Sequence, residues 1–259
     1  MRYVQVQTFE DEGLKVYHQM RDNAFDKLNS FVADSPKVVN ILLQSDLDLI
    51  SILATKEYYD EYESLINTHE HLICYLATKE QMQALVGHKI HHNCMLHGIR
   101  PSESPLSDLS NNIVMLDKIT SNENVGSIAR SMAGFGVGGY LLPKESPHPY
   151  GRRALRVSMG YMSHLKYHIY ENIIDTVMEL KKDGYKVYAA ELTHNSIPLQ
   201  EIKVQEKWVL IMGSEGQGIS QEVLDVCDEI VSIEMLECVK SFNVSVAAAV
   251  LIYEFVMSG

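Results

Sequence analysis

The chain has 259 residues, 46% of them hydrophobic and 22% charged, with a formal net charge of −12. That length supports one large or two modest domains, and the composition excludes disorder, collagen and coiled coil as the main state. The negative field argues against a protein that coats DNA or RNA without specificity. No apolar run approaches the roughly 18 residues that span a bilayer, and the acidic start MRYVQVQTFEDEG has no apolar core of a secretory signal. Cys74, Cys94, Cys227 and Cys238 form no CxxC pair and read as reduced cytosolic thiols, so a cytoplasmic location is expected.

In chain order, the first thirty residues are polar and weakly helical. Ser35-Pro36 is a cap followed by proline at the first helical position, with Val38, Val39, Leu42 and Leu43 as the apolar face. Ile50–Leu53 reads as a strand, 57–66 as a helix and Leu72–Leu76 as a buried strand, and Thr78 caps a short helix through Leu85. This alternation predicts a small α/β domain over roughly 30–100. Arg100–Asp108, polar with two prolines, reads as a linker, which places the boundary near residue 108 and gives domains 1–108 and 109–259.

In the second half, Ile113–Leu116, Tyr140–Leu142, Val187–Ala190, Trp208–Met212 and Glu229–Ile233 read as strands. Helices are expected at about 124–134, 169–182 and 241–256. Strands separated by helices imply a mostly parallel sheet covered on both faces.

Some motifs carry little. Gly134-Phe-Gly-Val-Gly-Gly139 matches G-x-G-x-x-G, yet it follows a helix and leads into a strand. That is the reverse of the dinucleotide fingerprint, so a glycine-rich helix stop is expected and a nicotinamide dehydrogenase is disfavoured. No P-loop or G-x-S-x-G pattern occurs. His91-His92-Asn-Cys94-Met-Leu-His97 fits no standard zinc pair and reads as a structural loop or strand, so no metal is expected. Lys144, Arg152, Arg153, Arg156 and Lys166 are a candidate basic patch for RNA, with a solvated face as the plain alternative.

Three segments carry more. In Asn124-Val-Gly126-Ser-Ile-Ala-Arg130, Gly126 and Arg130 share one helix face. In Trp208-Val-Leu-Ile-Met-Gly213-Ser-Glu215-Gly216-Gln-Gly218-Ile-Ser220, an apolar strand runs into three glycines around one carboxylate. Such a loop offers bare backbone groups at the carboxyl end of a parallel strand, where these folds bind ligands. In Ser241-Phe-Asn243-Val-Ser245-Val-Ala-Ala-Ala-Val, polar side chains open a small-residue helix, and simple capping by Ser241 is the alternative.

Together NVGSIAR, LIMGSEGQGIS and SFNVSVAAAVLIYEF resemble the SpoU/TrmH family of RNA 2′-O-ribose methyltransferases in the SPOUT superfamily. ALRVSMG (154–160) is similar to the family's arginine-serine-glycine segment, and FVADSPKVVNILL to the small substrate-binding domain of many members. The resemblance covers about 110–257 in order and spacing. It implies a parallel α/β sheet with a deep C-terminal trefoil knot, a rare exception to ordinary topology. It implies S-adenosylmethionine held near Leu192, Gly213, Gly218, Ile233, Met235, Leu236 and Phe242, and a homodimer with active sites at the subunit interface.

The implied reaction is methyl transfer to a ribose 2′-hydroxyl of ribosomal or transfer RNA. Arg130 matches the motif arginine. A guanidinium is a poor base, so it is expected to grip the target phosphate and stabilise the developing alkoxide. Asn124 and Asn243 would orient ribose or loop, Ser241 would position the nucleotide, and Glu215 would tie the loops or take part in proton movement. Glu234, Glu237 and Phe242 depart from the family's usual proline, glycine and leucine around the cofactor loop. They motivate the alternative of a catalytically silent RNA-binding or assembly factor.

Overall fold

The structure, a computed structural model, describes residues 3–18, 28–214, 216–236, 238–239 and 241–258. Two compact units emerge: Met1–Ser102 with His148–Ser163, and Glu103–Pro147 with His164–Gly259. Residues 148–163 therefore leave the second half and join the first unit, unlike the single cut expected near residue 108.

The first unit contains β1 (Tyr3–Gln5), β2 (Ser30–Asp34), α1 (Pro36–Leu42), β3 (Leu49–Ala54), α2 (Lys56–Glu61), α3 (Glu63–Ile66), β4 (Ile73–Leu76), α4 (Lys79–Val86) and β5 (Cys94–Ile99). The sheet order is β1-β4-β3-β5-β2. β3 runs parallel to β4 and antiparallel to β5. The expected α/β alternation is present, with two differences in local chemistry. Ser35 makes no side-chain cap on α1 and sits at φ 85, whereas Thr78 builds a full capping box with Gln81 on α4. The helix expected over 57–66 breaks at Tyr62 into α2 and α3. Tyr17, Val32, Leu53, Tyr75 and Met82 pack in one core cluster, and the Tyr17 hydroxyl is hydrogen-bonded to Ser51 Oγ at 2.8 Å.

The second unit opens with β6 (Asn112–Leu116), α5 (Asn122–Phe135) and β7 (Gly139–Pro143). The chain then contributes α6 (Arg152–Val157) to the first unit, where it packs on β2. The second unit resumes with β8 (Lys166–Tyr170), α7 (Ile173–Lys182), β9 (Lys186–Ala190), β10 (Ile197–Pro198), β11 (Trp208–Met212), α8 (Gln221–Leu224), β12 (Glu229–Ser232) and α9 (Val244–Ser258). Its seven strands lie in the order β10-β12-β9-β11-β6-β7-β8. Every pairing is parallel, as the strand and helix alternation predicts.

β8 was not foreseen: its residues overlap the start of the helix expected over 169–182. Asn172 resolves the overlap by capping α7, its Oδ1 accepting from the amides of Ile174 (2.9 Å) and Asp175 (3.2 Å). The expected linker is partly anchored, because the Ser104 amide donates to Tyr167 O and Glu103 accepts from the Ile169 amide along β8. Gly136, at φ 77, ends α5 in the left-handed conformation before β7, so the 134–139 glycines form the expected helix stop. α9 lies against α5. Its Phe255 meets Trp208 and Tyr188 edge-on at centroid distances of 5.2 and 5.0 Å. No helix among the described residues is long and apolar enough to cross a membrane.

Candidate active site

The carboxyl ends of β12, β9 and β11 are neighbours in a parallel sheet, so the loops leaving them share one edge. They surround a cavity of about 620 Å³, closed on one side by Ser241, Phe242 and the first turns of α9. That volume falls in the range of small-molecule sites, and the location is where parallel α/β sheets bind ligands.

The glycines set its shape. A Cβ on Gly213 would lie 2.6 Å from the carbonyl carbon of Gly218, so the two ends of the loop touch backbone to backbone. Gly218 stands at φ 65 and donates its amide to Ser214 O at 3.0 Å. A Cβ there would meet Glu191 Oε2 at 2.2 Å. Glu191, the first residue after β9, accepts from the Ile219 amide through Oε2 (2.8 Å) and from the Leu192 amide through Oε1 (3.0 Å). This carboxylate ties the β9 loop to the β11 loop. The sequence reading missed it; the available signal was a charge placed immediately after an apolar strand. In the turn before β10, Ser196 Oγ donates to Thr193 O (2.8 Å) and bonds Ser232 Oγ (3.0 Å) at the end of β12.

Of the residues expected to hold the cofactor, Leu192, Gly213, Gly218, Ile233, Met235 and Phe242 line this cavity, and Leu236 is exposed outside it. Ser241 lines it as well. Capping of α9 falls to Asn243 instead: its Oδ1 accepts from the Ser245 amide at 3.0 Å. Its Nδ2 donates to Asn124 Oδ1 at 3.2 Å, so the two expected asparagines meet between the starts of α5 and α9. Asn124 is buried, with its amide capped by Ser121 Oγ. Arg130 is exposed on α5 and does not line the cavity. Glu215 and Glu237 lie outside the described residues. Glu234 is exposed, accepts from Gln200 Nε2 at 2.7 Å, and does not line the cavity, so this departure puts no carboxylate against a ligand there.

The expected basic patch is divided and engaged. Lys144 pairs with Glu171, and Lys166 Nζ donates to Asp108 O, both in the second unit. In the first unit Arg152 and Arg156 pair with the buried Asp34, while Arg153 is exposed. His97 lies in β5 edge-on to Tyr17, apart from the histidines at the strand's start, and burial holds its imidazole below the usual value.

A glycine-lined cleft at the tips of a parallel sheet, closed by a small-residue helix, is the kind of site in which α/β proteins bind small organic ligands. The comparisons agree. Residues 111–253 match the SpoU rRNA Methylase family, and the chain belongs to it. A relative from Staphylococcus haemolyticus, assigned to the TrmH family of tRNA/rRNA methyltransferases, is 34% identical over 142 residues, 55% of this chain and 57% of that one. The aligned stretch thus spans little more than half of that relative. The fold matches an AdoMet-bound rRNA methyltransferase from Sinorhizobium meliloti with TM-score 0.82 at 19% identity, covering 98% of this chain and 97% of that one. It also matches a structure described as an RNA 2′-O ribose methyltransferase, with TM-score 0.78 at 17% identity and 99% of each chain covered.

Proposed function

We propose that the chain catalyses S-adenosylmethionine-dependent methyl transfer to a ribose 2′-hydroxyl of a structured RNA, ribosomal or transfer, in the cytoplasm. The observation that carries this is the strand-tip cavity, lined by six of the seven residues expected to hold the cofactor. Its shape fits such a ligand: Gly213 leaves no room for a side chain, so the loop closes backbone to backbone at the cavity wall. When bound, S-adenosylmethionine supplies an electrophilic methyl group. The chain's own residues would do the rest. Glu191 fixes the two loops, Asn243 and Asn124 hold the entrance of α9 against α5, and Ser241, on the cavity wall, would position the nucleotide.

Arg130 would stabilise charge developing on the acceptor oxygen, since a guanidinium stays protonated. It does not line the cavity of its own chain, which favours its supply by a second copy in a homodimer. Val246, Val250, Tyr253 and Met257 form an exposed stripe on α9 that supports the same arrangement. We further propose the threaded path. β12 inserts between β10 and β9, and the segment after it returns to place α9 on α5, a crossing pattern that supports a knot.

The test is incorporation of labelled methyl into RNA, followed by nucleoside analysis. Label on the ribose oxygen is expected; label on a base would overturn the reaction. Arg130→Ala should abolish turnover and leave cofactor binding nearly unchanged, whereas equal loss of both would give Arg130 a structural role. Cofactor binding without any turnover on ribosomal or transfer RNA would favour the second reading, a silent RNA-binding factor, which the exposed position of Arg130 also permits.

A further inference from the structure

The first unit holds a second cavity, of about 270 Å³, that the proposed reaction does not use. Its wall carries Lys89, Arg152 and Arg156 together with the imidazoles of His88, His91 and His92. Among the described residues of its lining, Asp34, buried at the end of β2, is the one carboxylate. In a chain with a net charge of −12, this concentration of cationic and imidazole groups runs against the overall field.

Asp34 is already satisfied by the arginines. Arg156 donates Nε to Asp34 Oδ1 at 2.9 Å and brings Nη2 to 2.7 Å of the same oxygen, while Arg152 pairs with Oδ2. A guanidinium carries five N–H donors, and Arg156 meets Asp34 through Nε and Nη2. The carboxylate therefore serves to fix the guanidinium planes in advance, which lowers the ordering cost of meeting a ligand. Lys89 and His91 stand exposed at the rim, and His92 is half-buried.

Histidines, a cysteine and an aspartate on one wall also suggest a cation, but the surroundings oppose it. Two arginines beside the site repel a metal. Burial pushes the Cys94 thiol far above its usual value, so it offers no thiolate.

We infer that this cavity is a phosphate-binding site, in which Lys89, Arg156 and Arg152 grip a phosphoryl group and His91 and His92 donate to its oxygens. The group's source is either the backbone of the RNA substrate or a free phosphorylated ligand. The RNA source rests on the function proposed above; the phosphate chemistry does not.

The test is imidazole NMR of the full chain, following His88, His91 and His92 during titration with inorganic phosphate and, separately, with a short RNA hairpin. The exposed Lys89→Glu variant and Arg156→Gln run alongside. Shifts with both probes, lost in the variants, establish the site with RNA backbone as its source. In that case the dependence of hairpin binding on log salt should also fall by about one in Lys89→Glu. Shifts with inorganic phosphate alone, lost in Lys89→Glu, establish the site with a free phosphorylated ligand. No shift with either probe, or shifts that persist in both variants, overturn the inference. A parallel titration with S-adenosylmethionine keeps the outcomes separate, because its failure would indict the proposed reaction and leave the imidazole shifts unaffected.

Discussion

At the scale of single residues, the strand-tip cavity depends on where side chains are missing and on one carboxylate. Gly213 cannot carry a Cβ without striking the backbone at Gly218, whereas Gly134 on α5 has nothing within 4 Å of where its Cβ would sit. Gly134 also lies inside a helix, where glycine costs backbone entropy. Gly134→Ala should therefore stabilise the protein by about 0.5–1 kcal/mol, read from urea unfolding. Glu191→Ala should act in the opposite direction. It strips the Ile219 amide of its charged acceptor and should cost about 1–3 kcal/mol. It should also weaken cofactor binding, because the β9 and β11 loops lose their tie. An unchanged unfolding midpoint for Glu191→Ala would remove that role.

At the scale of elements, α9 serves two surfaces. Val244, Ala248, Leu251, Ile252 and Phe255 are buried, and the Phe255 ring closes on Trp208 and Tyr188. Val246, Val250, Tyr253 and Met257 recur at helical spacing on an exposed side, with Tyr253 edge-on to Phe135 of α5 at 5.6 Å. If that stripe meets a second copy, Tyr253→Asp should give a monomer by light scattering while the far-ultraviolet spectrum stays native. Methyl transfer should fall with dimer content. A Tyr253→Asp protein that remains dimeric would exclude this face as the interface.

At the scale of the whole molecule, the parallel sheet was legible because its strands are apolar runs bounded by glycine and charge. Trp208–Met212 was read to the residue. β8 was not, because KYHIY alternates polar and apolar side chains just ahead of a strongly periodic helix, and only the Asn172 cap separates the two. The membership of residues 148–163 in the first unit was equally hidden. There Arg152 and Arg156 pair with Asp34 more than a hundred residues earlier, and no local pattern encodes that pairing. The cavity was legible through its glycines and through family resemblance, while Glu191 became visible only once β9 and β11 lay side by side.

Acid sensitivity also belongs to this scale. Burial holds the imidazoles of His92 and His97 below the usual value, so the unfolded chain binds protons that the folded one does not. Their contribution to stability is complete above about pH 6.5 and is lost as the pH falls below it. Urea midpoints at pH 7.5 and 5.5 should therefore differ more for the wild-type protein than for His97→Gln. An equal difference would assign the acid response to other groups.

The central claim, that the glycine-lined cavity at the tips of β9, β11 and β12 holds the methyl donor, is tested most directly by calorimetric titration of the purified protein with S-adenosylmethionine. Saturable binding at one site per chain is predicted, abolished by Gly213→Val and retained by Gly134→Ala. Absence of heat with the wild-type protein, or binding that Gly213→Val leaves intact, would contradict it.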